Sequence, residues 1–318
     1  MSATKHTLMV ALLTAGLLGS AAASAEPIVR SFAAQPGGEL EVNTDVGRVE
    51  VTSHDEDEIT VEVDVRGPGA PGFEVDFRER SNGLEVIGKT SRGLMSRRNS
   101  YVDVDVVIRV PRRYDVVLDT SGGSITVGDI DGEVRAETSG GNIEIGRVTG
   151  EVSAGTSGGG ITVAYAGGDV SADTSGGSIR VEEAAGKVNA DTSGGSIRLG
   201  RIAGPVDADT SGGSIAVKAA QSSVSASTSG GSIKVGFTAQ PDGRSRLDTS
   251  GGTVTVYLAD GLALDVKARS GVGVTSALVL EDARMEPGRL EGSLNGGGPL
   301  LDLRSSGRVR IERMKDRT

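Results

Sequence analysis

Residues 174–191 read Thr174-Ser175-Gly176-Gly177-Ser178-Ile179-Arg180-Val181-Glu182-Glu183-Ala184-Ala185-Gly186-Lys187-Val188-Asn189-Ala190-Asp191, and Thr192-Ser193-Gly194-Gly195-Ser196-Ile197 at once begins the phrase again. Thr-Ser-Gly-Gly starts at Thr120, Thr138, Thr156, Thr174, Thr192, Thr210 and Thr228, every step being 18 residues, and an eighth copy starts at Thr249 after a step of 21. The three additional residues fall around Gln240-Pro241-Asp242-Gly243, a composition that predicts a turn insertion.

Each 18-residue unit holds two halves. Gly177-Ser178-Ile179-Arg180-Val181 is answered nine residues later by Gly186-Lys187-Val188-Asn189-Ala190. The same pair recurs as Gly123, Ile125, Val127 against Gly132, Val134, Ala136, and as Gly195, Ile197, Leu199 against Gly204, Val206, Ala208. Alternation of period two predicts a strand with its branched apolar residues inward. A Gly before each strand is expected to permit a sharp corner. Two strands and two corners per unit describe one coil of a flattened solenoid. An antiparallel sandwich would explain the strands but not the fixed register, which stacking of each residue on its own copy does explain. The expected fold is all-β, a parallel β-solenoid with 18-residue coils. Its core is thin: Ile or Leu, Val, Val and Ala, plus a corner residue such as Ile130, Val148, Ala166 or Ala184.

The flanks break the period and divide the chain. Residues 1–25 carry Lys5 and His6, an apolar run over 8–18 and the small residues Ala23-Ser24-Ala25, the parts of a cleaved secretory signal peptide. The run is too short for a bilayer span, which needs about 20 residues, and no later segment is apolar enough to span. Residues 26–113 are expected to be a strand-rich region capping the solenoid. Long alternating runs lie at 59–65 and 101–110; Phe73, Val75 and Phe77 alternate into a Ser81-Asn82-Gly83 hairpin turn; 67–72 is a loop; and 92–100 is a polar, basic segment expected to be mobile. Residues 114–257 are the regular coils. Residues 258–318 hold two degenerate coils, Gly271-Val272-Gly273-Val274 and Ser306-Gly307-Arg308-Val309-Arg310-Ile311, with Leu294-Asn295-Gly296-Gly297-Gly298-Pro299 as the turn feeding the last.

Composition narrows the function classes. The 318 residues include 49 Gly, no Cys, no Trp, two His and only eight aromatics, four Tyr and four Phe. The missing Cys excludes a disulfide framework, thiolate metal sites and a Cys nucleophile. The net charge of −10 argues against nucleic acid or anionic lipid as the main partner. An exported protein, periplasmic, secreted or at the cell surface, is expected.

The seven strictly spaced copies of T-S-G-G-(S/N/G)-I, the partner G-x-V-x-A and the terminal L-N-G-G-G-P with S-S-G-R-V-R-I together resemble the bacterial putative-adhesin domain family. The resemblance runs from about Gly38 to the end and is densest over 116–256. It implies export, a parallel β-solenoid and a repetitive strand surface, and it brings no catalytic residues with it.

Several local motifs match known catalytic or binding patterns in letters but not in context. Gly83 to Thr90 matches a phosphate-binding loop, G-x-x-x-x-G-K-T, but its spacers Leu84, Glu85, Val86 and Ile87 predict a strand and no helix follows. Gly155-Thr156-Ser157-Gly158-Gly159 matches G-x-S-x-G, yet sister coils carry Asp or Glu at its first position. His54-Asp55-Glu56-Asp57-Glu58 predicts a solvated acidic turn. The column before each Thr reads Asp119, Glu137, Gly155, Asp173, Asp191, Asp209, Ser227, Asp248. Stacking would align these carboxylates, either capping corner amides, as Asp does in turns, or binding cations. The outward position after each Ile varies: Thr126, Glu144, Thr162, Arg180, Arg198, Ala216, Lys234. The Thr hydroxyls should point into the corner as structure. No catalytic, cofactor-binding or metal-binding residue is assigned. The expected function is that of a non-enzymatic envelope protein, an adhesin or rigid scaffold with an envelope or surface partner. The alternative is a carbohydrate-active or polysaccharide-binding β-helix.

Overall fold

The computed structural model describes residues 26–91 and 101–314. The expected signal peptide over 1–25 and the polar segment 92–100 lie outside the described residues. The described residues form strands throughout, with a single 3-10 turn at Ala70–Gly72.

Two sheets face each other. One contains the G-S-I strands, such as Ile179–Ala184, and is called here the isoleucine sheet; the other contains the V-x-A strands, such as Val188–Thr192, and is called the alanine sheet. Neighbouring copies pair in parallel with no slip: Ile179 stands opposite Ile161 and Ile197, and Ala190 opposite Ala172 and Ala208. The isoleucine sheet has fourteen strands, two of them antiparallel additions, and the alanine sheet fifteen, three of them antiparallel additions. Twelve stacked coils remain. At ~4.8 Å per coil the stack is roughly 50 Å long. The chain is therefore a parallel β-solenoid with repeated coils of about 18 residues, as its periodicity predicts.

The core is the inward alternation of both sheets. Ile179, Val181, Val188 and Ala190 are wholly shielded from water, as are the corner residues Val148 and Ala166. A column of hydroxyls continues this interior. Thr44, Thr120, each of the six Thr from Thr138 to Thr228, and Thr249 are buried and aligned by strand register, and Ser305 extends the column.

The corner glycines have a different cause from the one expected. None of Gly123, Gly141, Gly159, Gly177, Gly195, Gly213, Gly231 and Gly252 has a positive φ, so no conformation reserved for Gly is involved. They stack on each other instead: a Cβ on Gly177 would lie 1.9 Å from the Gly159 carbonyl oxygen. The preceding Gly is looser, since a Cβ on Gly176 would meet the Gly158 oxygen at 3.4 Å.

The coils do not stack in chain order at either end. Gly38–Thr44 and Arg48–His54 form a coil that lies directly under Tyr114–Thr120 and Ile125–Val127, while Gly83–Thr90 and Asp103–Pro111, later in the chain, stack on its outer side. At the other end Leu300–Ser305 and Arg308–Arg313 stack on Ser245–Thr249 and Val254–Leu258, and the earlier Leu264–Ser270 and Gly273–Ser276 lie outside them. Antiparallel strands finish both ends. Glu58–Arg66 and Ile28–Ala33 extend the isoleucine sheet, Phe73–Arg80 extends the alanine sheet, and the Phe32 and Phe77 rings meet at 5.6 Å over the open core.

Candidate functional site

The regular corners build a continuous groove. Each Thr hydroxyl is held inside it: Thr174 Oγ1 donates to the Gly159 carbonyl at 2.8 Å and accepts from the Gly177 N–H at 3.3 Å. Thr192 and Thr210 repeat this on Gly177 and Gly195. With Thr turned inward, the residues on either side turn out. The acid before it and the Ser after it form the two walls of a groove of about 730 Å³, running from Asp119 and Thr120 to Ser227 and Ser229. A repeat with one environment per coil gives a long channel and not a single pocket.

The expected carboxylate row exists. Register places Asp119, Glu137, Gly155, Asp173, Asp191, Asp209, Ser227 and Asp248 side by side. The expectation that these groups cap corner amides is not met. Other side chains do that work one coil further along. Asp169 Oδ1 accepts from the Lys187 N–H at 2.7 Å, Asp115 and Asp129 serve Glu133 and Arg147, and the Ser178 and Ser196 hydroxyls serve the next Ser N–H. The row itself is left facing solvent.

Two of its acids have a basic partner on their own strand. Glu137 pairs with Arg135 and Asp248 with Arg246 at 2.9 Å. Beyond the groove, buried Asp302 is bonded by Arg304 and Arg244, which outweigh the effect of burial and hold its carboxyl below the usual range. Asp173, Asp191 and Asp209 have no basic partner among the described residues, and Asp207, two residues before Asp209, adds a fourth carboxylate. Partial burial, then the charges of Asp209, Asp173 and Asp207, push the Asp191 carboxyl up. Burial and Asp207 push Asp209 up against a hydrogen bond from Ser227. The row thus stores like-charge repulsion over three coils. Asp207 was missed by sequence reasoning because its column reads Arg135, Ser153, Ser171, Asn189, Asp207, Ser225, which carries no repeat signal.

The other motifs fall apart chemically. Gly83–Thr90 is a single strand paired along its length, so its amides are bound in the ladder and do not cradle a phosphate. In Gly155-Thr156-Ser157-Gly158-Gly159 the hydroxyl pointing inward is Thr156, engaged with the Gly141 carbonyl at 2.9 Å. At the acidic turn His54 Nδ1 accepts from the Glu56 N–H and Asp55 pairs with Arg112 at 3.1 Å. Among the described residues no three His, Asp or Glu side chains converge as metal ligands, and no helix is long and apolar enough to cross a membrane.

The family model described as Toastrack DUF4097 matches residues 38–292. No curated protein matches the chain. Among solved structures, the chain is similar to a putative adhesin from Bacteroides fragilis, at 14% identity, a TM-score of 0.39 and coverage of 74% of this chain and 98% of that one. It is also similar to a putative lipid binding protein from Parabacteroides distasonis, at 15% identity, a TM-score of 0.41 and coverage of 91% and 97%. A putative adhesin from Parabacteroides merdae matches at 12% identity, a TM-score of 0.40 and coverage of 91% and 96%.

Proposed function

The chain belongs to the Toastrack DUF4097 family, which bears out the resemblance to the putative-adhesin domains, and from this premise we propose that it is an exported, non-enzymatic scaffold that engages a surface partner along its coils. The observation that carries this reading is the groove: a hydroxyl wall repeated at each coil from Thr120 to Ser229, facing a column of carboxylates that is interrupted at Gly155 and Ser227. Catalysis needs unlike groups converging on one reacting atom, such as a nucleophile beside its base. Here each inward hydroxyl is spent on a backbone carbonyl, and the groove walls offer carboxylates and hydroxyls with no base among them. A repeated environment suits an extended partner, which gains a small interaction at every step. The signal-peptide pattern expected from the sequence of residues 1–25 supports export, and the 18-residue regularity of the surface supports a presenting rather than a converting role.

A panel of glycans and polysaccharides, read both for binding and for release of reducing ends, tests the proposal. Binding that weakens when Asp191 and Asp209 become Asn, with no reducing ends released, is the expected result. Release of reducing ends would replace this reading with the carbohydrate-active one. Fractionation of cells that make the full chain tests export: the mature protein should be found outside the cytoplasm.

A further inference from the structure

The two faces of the solenoid carry opposite charge over two neighbouring runs of three coils that share the unit of residues 192–209. On the alanine sheet, Val170–Thr174, Val188–Thr192 and Val206–Thr210 present Asp173, Asp191, Asp207 and Asp209, and no base. On the isoleucine sheet, Ile197–Ile202, Ile215–Ala220 and Ile233–Phe237 present Arg198, Arg201, Lys218 and Lys234, and no acid. Register aligns Arg180, Arg198, Ala216 and Lys234 in one column, with Lys218 two residues past Ala216. Arg201 lies 3.7 Å from Glu183 and Arg180 is bonded to Glu182, but Arg198, Lys218 and Lys234 form no ion pair among the described residues.

We propose that the acidic alanine-sheet face of one molecule docks on the basic isoleucine-sheet face of a second copy. This rests on reading the alanine-sheet face as a contact surface and names one partner for it. Charge complementarity is the first argument. The second is spacing. Both columns advance one residue per coil, about 4.8 Å, so two solenoids lying side by side with parallel axes keep step over the three coils that carry charge on each face. The third is area. A strand of five or six residues is ~17–20 Å long and the stack is roughly 50 Å, so a whole face offers about 900 Å², close to the ~800 Å² per partner of a standard interface, with the three charged coils setting which faces meet. Because the faces are on opposite sides, the contact is heterologous, and each bound copy still offers a free face of each kind. The product is an open lateral row and not a closed dimer.

The net charge of −10 works against this at long range, which makes salt a discriminating variable. Repulsion between like-charged monomers is relieved by salt, so association limited by it grows with salt; association through complementary faces shrinks. Sedimentation velocity of the purified protein over a concentration series, at about 0.1 M and about 1 M salt, reads this directly, since screening lengths fall from ~10 Å to ~3 Å. The expected result is concentration-dependent growth past the dimer at the lower salt, weakened on the order of tenfold at the higher. Two single-face variants complete the test. One carries Asp191→Asn, Asp207→Asn and Asp209→Asn; the other carries Arg198→Gln, Lys218→Gln and Lys234→Gln. All six residues are exposed, and circular dichroism checks that both variants fold. Each variant alone should be monomeric. Their mixture should form a one-to-one complex and stop there, since only one intact pair of faces remains. A wild-type protein that is monomeric throughout, association that strengthens with salt, or variants that assemble like wild type would each overturn the proposal. The basic-face variant keeps the groove, so its binding in the glycan panel separates failure of self-docking from failure of the adhesive reading.

Discussion

At the scale of single residues, the repeat is governed by what stacks on what. Gly177 and Gly176 are adjacent and identical in type, yet their copies in the preceding coil approach a Cβ position at 1.9 Å and 3.4 Å. Gly177→Ala should therefore destabilise the fold by several kcal/mol or abolish it, because backbone oxygen cannot move aside, whereas Gly176→Ala should stay within about 0.5 kcal/mol, as ordinary surface changes do. Urea midpoints of the two variants test this, and equal midpoints would place the close approach elsewhere. The acid row yields a second expectation. A carboxyl whose folded pKa stands above its unfolded one holds its proton more tightly when folded. Its contribution favours folding at acid pH and is lost as pH rises through the raised folded value. Asp191 and Asp209 are of this kind. Asp191→Asn with Asp209→Asn should raise the neutral-pH stability by about 0.2–1 kcal/mol for each like-charge contact relieved. It should change nothing well below the carboxylate range, where the wild-type groups are already neutral. A pH series of thermal midpoints reads the difference, and an unchanged midpoint at neutral pH would mean that the row stores no repulsion.

At the scale of the strand, most of the fold was legible. Inward Ile, Val and Ala follow from alternation alone, and the burial of Thr in the corner follows from its place after Val and Ala. Ala190 is wholly shielded between Ala172 and Ala208, while half-buried Asn189 has a side-chain oxygen with no hydrogen-bond partner to lose. Ala190→Leu should cost about 1–3 kcal/mol by overpacking, and Asn189→Leu less than about 0.5 kcal/mol. Equal shifts in the denaturation midpoint would mean that the inward face is misassigned. What alternation could not reveal was the cause of the corner Gly or the amide partners of the corner, because both depend on atoms one coil away. The same limit hid the coil of residues 38–54. Its corner, Thr44-Asp45-Val46-Gly47, keeps the hydroxyl and the fourth-position Gly and has Asp45-Val46 in place of Ser-Gly between them. Thr120 Oγ1 still donates to the Gly47 carbonyl, at 3.2 Å.

At the scale of the molecule, the order of stacking differs from the order of the chain, and no local pattern records this. Hydrophobic alternation says that a segment is a coil; it does not say which neighbour it meets. Both ends interlock in the same manner, with a coil from one part of the chain held between two others. The edges beyond are blunted. Arg30 stands between Ile28 and Phe32 on the core-facing side of its edge strand, and Glu281–Glu286 is charged and irregular in register. Both devices discourage pairing with another chain through the sheet edge, leaving the broad faces for contact.

This interlocking separates two deletions that a simple stack would treat alike. Removing residues 174–191 joins Ala172-Asp173 to Thr192-Ser193, a junction with the native Ala-Asp-Thr-Ser sequence. Each regular coil meets only its neighbours, so the shortened protein should fold cooperatively with some loss of stability. Removing residues 174–182 instead would place a V-x-A half where a G-S-I half belongs and exchange the two sheets for every later coil, and that protein should aggregate. Truncation after residue 299 removes a sequence that looks like a dispensable, degenerate last coil. In the structure it removes Leu300–Ser305 and Arg308–Arg313 from between two coils that stay behind. Leu301, Leu303, Val309 and Ile311, all buried, are lost, and the inward faces of Leu264–Ser270 and of Ser245–Thr249 lose their shared neighbour. We expect the truncated protein to be insoluble or to unfold in two steps, the C-terminal part first, while the 174–191 deletion stays soluble and two-state. Soluble yield and the coincidence of unfolding transitions by far-UV circular dichroism and by tyrosine fluorescence decide between them. A truncated protein as stable as the coil deletion would show that the last coil sits at the end of the stack, as its place in the chain suggests, and that the interlock is not what closes the solenoid.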